Sequence, residues 1–368
     1  MLLTNELRII FTLFFSFFIS YLAIPSIIRV SKKKKLTDKP NSRKSHKTDI
    51  PTLGGLAIFV GCVLALTLFT HQAEFGDAQY IIAAMVIILF IGMKDDILII
   101  APLTKLAGQF VSTIILVTVG DIRITNLHGL LGIYDIPIIV SIIITVVLFL
   151  TIINSFNFID GIDGLAGGLG ILAALILGVW FYLSAHYPQA ILAISLVGAT
   201  VAFLRYNIWG ETNKIFMGDT GSMFIGLVVA VLIVKFNEFN IDFGKPYTVI
   251  AAPAISFAII AVPLFDTLRV VFIRMVISRS LSHADRNHIH HRLLRLGCSH
   301  LKASLILMAV NVIFVVFAIS LQQLGIVRLV LLMIILGMLL SYIPTVLMER
   351  KIKKEKLLNS QQTNFSGI

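Results

Sequence analysis

The sequence predicts an all-α polytopic integral membrane protein of about eleven transmembrane helices, on three observations. Hydrophobic residues make up 58% of the 368 and charged residues only 13%, far from the ~45–50% and ~25% of soluble domains. Apolar runs of roughly 17–25 residues, the length that crosses a bilayer, recur along the chain. The net charge of +11 is confined to alternate loops, as the positive-inside rule requires of a membrane protein.

Taken in order, the runs centre near Phe18, Val60, Val86, Ser112, Ile144, Ala174, Gly198, Ala230, Pro263, Val312 and Leu336. The first lacks a basic leader and a small-residue cleavage site, so it is expected to be a retained span. After it comes Lys32-Lys33-Lys34-Lys35, followed by Lys39, Arg43, Lys44 and Lys47. Loops on the same side carry Lys94, Lys105, Arg205, Lys214, Arg279, Arg286, Arg292, Arg295 and Lys302, and the tail begins with Arg350 and Lys351. The opposite loops hold only Arg123 and Lys245, with Lys235 and Arg328 near span ends. This bias places the N-terminus outside and the C-terminus in the cytoplasm. Asp121 to Asp135 alternates in polarity around Gly129 and is expected to form a small outer β-hairpin. Residues 1–350 are expected to form a single transmembrane catalytic domain, and 351–368 a basic, then polar, disordered cytoplasmic tail. Cys62 and Cys298 lie in unlike surroundings, which argues against a disulfide.

Four polar stretches interrupt this apolar chain, each after an odd-numbered span on the basic side. They are GMKDD with Asp95 and Asp96, NSFNFIDGIDGLAGG with Asn154, Asn157, Asp160 and Asp163, FMGDTGS with Asp219, and HADRNHIHHRLLRLGCSH from His283 to His300. The last holds five of the nine histidines. Each has an ordinary explanation. Asp95-Asp96 could be a solvated helix end and the DGxDG stretch an Asx-rich turn. Asp219 could cap a helix, and the histidine tract could hold lipid headgroups. Their common side makes four coincidences the poorer account.

Carboxylates gathered from several loops suit a hard cation, Mg²⁺ with Mn²⁺ as a substitute, held together with substrate phosphates. Zinc suits the tract less well, because His290 and His291 are adjacent and diverge on a helix. Arginine, histidine and Lys105 supply positive charge for phosphate oxygens. Mg²⁺ with basic clamps is the equipment of phosphoryl transfer, and no GxxxxGK[ST] loop points to ATP. A transporter would place its acids near the bilayer midplane and often carry inverted repeats. These acids sit at span ends and no repeat is evident. Nothing suggests nucleic acid.

In order along the chain, DKPNSRKSHKTDIPTLGG (Asp38 to Gly55), Asp95-Asp96, NxxNxxDGxDGL (Asn154 to Leu165), FMGDTGS and HIHHRLL form a specific set. That set resembles the polyprenyl-phosphate N-acetylhexosamine-1-phosphate transferases. The resemblance implies transfer of a sugar 1-phosphate from a UDP-sugar to undecaprenyl phosphate, with release of UMP, at the cytoplasmic face of a bacterial cytoplasmic membrane. Ile289 interrupts the histidine run, a form similar to the branch that uses UDP-N-acetylglucosamine to begin teichoic acids, O-antigens and related polysaccharides. The phospho-N-acetylmuramoyl-pentapeptide branch, typically with three consecutive histidines, and members using other N-acetylhexosamines stay open, as does a homodimer. The resemblance implies that Asp163 and Asp219 contact Mg²⁺, and that Asp95 and Asp96 lie beside the lipid phosphate as base or orienting groups. Lys105 would steady a phosphate, and Asn154, Asn157 and Asp160 would shape the nucleotide side. Arg286, His288, His290, His291 and Arg292 would surround pyrophosphate and sugar. Arg43 and His46 would touch phosphate or only mark the basic face.

Overall fold

The computed structural model describes residues 4–38, 49–71, 76–98, 100–242, 244, 246–276 and 288–365. All eleven expected centres fall on helices. These are α1 (Asn5–Lys34), α2 (Gly54–Phe69), α3 (Ala78–Leu98), α4 (Pro102–Ile114), α5 (Ile138–Ile159), α6 (Leu165–Leu183), α7 (Tyr187–Trp209) and α8 (Gly218–Phe239). They continue with α9 (Ala252–Ile259), α10 (Ala261–Val276), the short α11 (Ile289–Arg295), α12 (His300–Ser320) and α13 (Ile326–Phe365). A π-helical turn, Ile115–Val119, extends α4.

Among the described residues, eight helices are long and apolar enough to cross a membrane, or nine if α9 and α10 make one bent span. The eleven expected spans are thus more than this test supports. α2 has only 16 residues, and the run around Pro263 is split by a 73° bend. Pro263 has no N–H and cannot continue a helix ladder at that point. Asn311 of α12 takes up the exposed backbone, donating to Ile259 O at 2.9 Å and accepting from Val262 N at 3.1 Å. Such repair is what allows a broken helix to persist inside a bundle.

α8 is the hub. Thr220 to Val234 is buried without interruption, so this helix is apolar on every side, and it packs on α2, α3, α5 and α6. α1 packs along α2 and α7 through small residues. A Cβ at Gly61 would strike Ser20, and one at Gly198 would strike Ser16. Small contact residues let helices approach closely where lipid offers no hydrophobic drive between them. Outward lie Phe14, Phe18, Phe90, Ile139 and Leu339, all exposed, the apolar surface that a bilayer would cover.

Two small sheets complete the fold. β1 (Thr37–Asp38) pairs antiparallel with β2 (Ile50–Pro51). β3 (Asn126–Leu130) and β4 (Ile133–Asp135) form the hairpin expected in that loop, closed by Gly132 at φ +81°, which a side chain would strain. The tail departs from expectation, because α13 continues to Phe365. The segment ERKIKKEKLL is rich in helix formers and extends a helix already nucleated by the span before it.

Candidate active site

The acidic motifs meet at the end of the bundle where α8 begins. Phe216 N donates to Pro51 O at 2.8 Å, and Gly54 N and Gly55 N donate to Phe216 O and Met217 O at 3.0 and 2.9 Å. The PTLGG segment is thereby docked on the FMGDTGS loop. At Gly218, φ is +70°, and a Cβ would collide with Thr52 O and the Asp96 carboxylate. Asp96 reaches from α3 to accept Asp219 N at 2.8 Å, Thr220 N at 3.1 Å and Thr220 Oγ1 at 2.6 Å. It satisfies the free N–H groups opening α8, so both its oxygens are committed to holding Asp219 in place.

Asp95, one residue earlier, points elsewhere. Its Oδ1 accepts Ile100 N at 2.8 Å and its Oδ2 lies 3.3 Å from Lys105 Nζ. Lys105, on the first turn of α4, also donates to Asn157 Oδ1 at 2.9 Å and pairs closely with Asp219 Oδ2. Asn157 in turn donates to Asp219 Oδ1 and Ser222 Oγ, both at 2.9 Å. Asp95, Lys105, Asn157 and Asp219 therefore form one connected cluster drawn from four helices. Asn154, one turn back on α5, pairs with Gln109: its Nδ2 donates to Oε1 at 2.8 Å, and Gln109 Nε2 lies 3.3 Å from its Oδ1. That amide pair supports the cluster from beneath.

The DGxDG loop leaves α5 at Ile159 and enters α6 through Gly164, at φ +81°. Gly164 N donates to Asn207 Oδ1 at 2.8 Å. Asp163 Oδ2 takes Lys214 Nζ at 2.6 Å and His300 Nδ1 at 3.0 Å, so it joins a separate set of partners from Asp219. Burial would raise its pKa, but the hydrogen bonds from His300 and Lys214 outweigh that and hold it below the usual carboxylate value. Asp160 moves the other way. Burial, then the negative charges of Asp219, Asp96 and Asp163, push it up to about 8. Among the described residues, the five acids Asp95, Asp96, Asp160, Asp163 and Asp219 meet three basic partners, Lys105, Lys214 and His300. Hard oxygen donors with surplus negative charge fit a divalent cation such as Mg²⁺.

The histidine motif folds over this loop. A Cβ at Gly161 would collide with His290 Nε2, so His290 rests against the backbone between the two aspartates. His288 Nδ1 lies 2.7 Å from Asp266 Oδ2, and Ile289 N donates to Asp266 Oδ1 at 2.8 Å. The rings of His290 and His291 are 4.4 Å apart. Burial, with His290 and His288 beside it, pushes His291 down to about 4, so near neutrality it meets a ligand as a neutral imidazole. Arg292 donates to Thr345 Oγ1 of α13. Arg43, His46 and Arg286 lie outside the described residues.

Comparison with known proteins bears on what this cluster belongs to. Residues 78–237, which include Asp95 through Asp219, match the model of glycosyl transferase family 4. The decaprenyl-phosphate N-acetylglucosaminephosphotransferase of Mycobacterium tuberculosis is 32% identical over 311 residues, covering 78% of this chain and 76% of its own. The chain belongs to this family. The probable undecaprenyl-phosphate N-acetylglucosaminyl 1-phosphate transferase of Bacillus subtilis is 28% identical over 329 residues, 88% of this chain and 87% of its own. The undecaprenyl-phosphate alpha-N-acetylglucosaminyl 1-phosphate transferase of Haemophilus influenzae is 30% identical over 282 residues, 76% and 77% of the two chains. The protein is therefore a phosphoglycosyl transferase with several membrane-crossing helices.

Sequence reasoning passed over several residues that complete this transferase's site. Lys214 and His300 were visible only as loop charges, and Gln109, Thr220 and Ser222 are ordinary helix residues. Asp266 did carry a signal, as the one acid between Asp242 and Asp285, placed within an apolar segment where an ionisable group is costly.

Proposed function

We propose that the protein transfers N-acetylglucosamine 1-phosphate from UDP-N-acetylglucosamine to undecaprenyl phosphate. UMP leaves, and the product is undecaprenyl-diphosphate-N-acetylglucosamine, the first membrane-bound intermediate of a cell-envelope polysaccharide. The observation that carries this reading is the Asp95–Lys105–Asn157–Asp219 cluster, with the histidine motif facing it across the DGxDG loop. The names of these relatives support the lipid acceptor and the transferred sugar phosphate, and the basic loops support a site on the cytoplasmic face of a bacterial membrane.

In the reaction, an oxygen of the lipid phosphate attacks the sugar-bearing phosphorus of the donor. Its bond to the UMP phosphate breaks as the new phosphoanhydride forms. One anhydride replaces another, so the equilibrium is close to balanced. Asp219 and Asp163, with Asp160 between their charges, would hold Mg²⁺, which when bound neutralises pyrophosphate charge and makes UMP a better leaving group. Lys105 steadies a phosphate oxygen beside Asp95, which orients the acceptor; a phosphate already ionised needs little help from a base. Asp96 works at one remove by fixing the start of α8. His288, His290 and Arg292 grip the donor, and neutral His291 offers a hydrogen bond without charge.

The test uses purified protein in detergent with labelled UDP-N-acetylglucosamine, undecaprenyl phosphate and Mg²⁺, followed by extraction of labelled lipid. Labelled lipid that disappears on chelation, and is regenerated to UDP-sugar by excess UMP, is expected. No lipid product from folded protein with any UDP-N-acetylhexosamine would sink the proposal. Product only with UDP-N-acetylmuramoyl-pentapeptide would move the chain to the neighbouring branch.

A further inference from the structure

Asp266 lies outside every motif used above, yet it is the residue on which the histidine motif is anchored. It sits on α10 just past the bend and is only 2% exposed. Its two oxygens do different work. Oδ1 accepts the backbone N–H of Ile289 at 2.8 Å, tying down the start of α11, and Oδ2 faces His288 Nδ1 at 2.7 Å. His290 Nδ1 is 3.7 Å from that same oxygen. It is buried and has no hydrogen-bond partner among the described residues. A carboxylate accepts, so the proton of this pair belongs on His288 Nδ1, and Nε2 is the nitrogen left for another contact.

We propose that Asp266 is a positioning residue for the donor: it sets the ring orientation of His288 and holds His290 over Gly161, where the two imidazoles meet the pyrophosphate of a nucleoside diphosphate sugar. The inference rests on the donor reading given above and adds to it the group that places the clamp. The logic is that of a carboxylate behind a functional histidine, which fixes its tautomer and angle without touching the ligand. Two of the three contacts are specific to this role. A carboxylate needed only for helix packing would take Ile289 N alone, and would have no reason to face one ring nitrogen of each of two alternate histidines. The three side chains also offer ligand atoms within 4.8 Å of one another, a spacing open to a transition metal. The direct 2.7 Å contact between His288 Nδ1 and Asp266 Oδ2 counts against that alternative, because it joins two of the atoms that would have to bind the metal.

Asp266→Asn, His288→Ala and the double variant, full length in detergent, separate these readings when donor and lipid phosphate are varied independently. Asp266→Asn should raise the donor KM about tenfold and leave the lipid-phosphate KM unchanged. The double variant should cost less than the sum of the two single changes, since both remove the placement of His288 and only that of His290 is left to lose. Should Asp266→Asn fail to fold, His288→Ala carries the same expected rise in donor KM. An unchanged donor KM with loss confined to kcat and melting temperature would overturn the proposal, as would full additivity. So would stoichiometric zinc or cobalt bound by the wild type and lost in Asp266→Asn. UMP binding by calorimetry is measured alongside. If the wild type makes no lipid product the transfer reading fails by itself, whereas a wild type that turns over with an indifferent Asp266→Asn fails only the positioning.

Discussion

The two ends of α8 use the same chemistry for opposite purposes. At the hairpin end the charged groups are spent on holding a loop to a helix. Glu238 accepts Thr125 N at 2.8 Å and Thr125 Oγ1 at 2.7 Å, Lys235 pairs with Asp77, and Arg123 meets Asp121 at 2.7 Å. At the other end Asp95, Asp96, Asp160, Asp163 and Asp219 face Lys105, Lys214 and His300. Among the described residues there, acids outnumber their basic partners. The first set fastens a loop to a helix; the second gathers negative charge that a cation can balance. Buried polarity alone does not mark a site; the convergence of five aspartates from three segments of the chain does.

The largest effect should come from removing a charge that belongs to the imbalance and also touches Lys105. Asp219→Asn keeps the shape and should lower kcat by roughly two to three orders of magnitude, with the protein still folded by melting temperature. Near-normal turnover at saturating substrate would take Asp219 out of the reaction and break the contrast between the two ends. Asp96→Asn comes next. It retains one carbonyl oxygen for the opening of α8 but puts an NH₂ against Thr220, so kcat should fall by about tenfold and stability by about 1–3 kcal/mol. A kcat loss as deep as that of Asp219→Asn, without a stability change, would mean that Asp96 acts directly on substrate.

Much of this was legible in the residues. Each apolar run became a helix because bilayer-length apolarity admits few other structures, and Gly129 with its alternating flanks marked the hairpin. The four polar stretches do gather at one end. The division of labour within them could not be read from spacing. Asp95 and Asp96 are neighbours, and adjacent helical side chains diverge by about 100°, so which one caps α8 depends on where α8 lies. Asp163 and Asp219 look equivalent in sequence, but Lys214 and His300, distant in the chain, distinguish them. Asp266 belongs to no repeated pattern; its meaning comes from the bend at Pro263 that brings it beneath His288.

The imbalance should also be visible in pH dependence. An unfolded aspartate titrates near ~3.9, whereas Asp160 in the fold is pushed up to about 8. Between those values the folded chain keeps a proton that the unfolded chain has lost. The stabilisation is therefore complete below the unfolded value and declines as pH rises toward about 8. Thermal melts without divalent cation should show that decline, and Asp160→Asn should flatten it. Mg²⁺, competing with the proton for the same negative field, should stabilise the protein more at pH 8 than at pH 6. A wild type and an Asp160→Asn variant with parallel profiles would remove Asp160 from the surplus.

The smallest catalytic effect belongs to the hairpin end. Glu238→Gln leaves one oxygen for Thr125 and sets an amide donor against the other of its two donors. One good hydrogen bond is lost and one group is left without a partner, about 1–3 kcal/mol in all. The melting temperature should fall by a few degrees, while kcat and both KM values stay within about twofold. If Glu238→Gln instead lowers kcat as far as Asp96→Asn does, α8 transmits strain between its ends, and the hairpin belongs to the catalytic machinery. If it does neither, the contacts at Thr125 are already shared with water and that end is held by packing alone. Only the expected pattern, stability lost and turnover kept, makes α8 a rigid post whose two ends act independently.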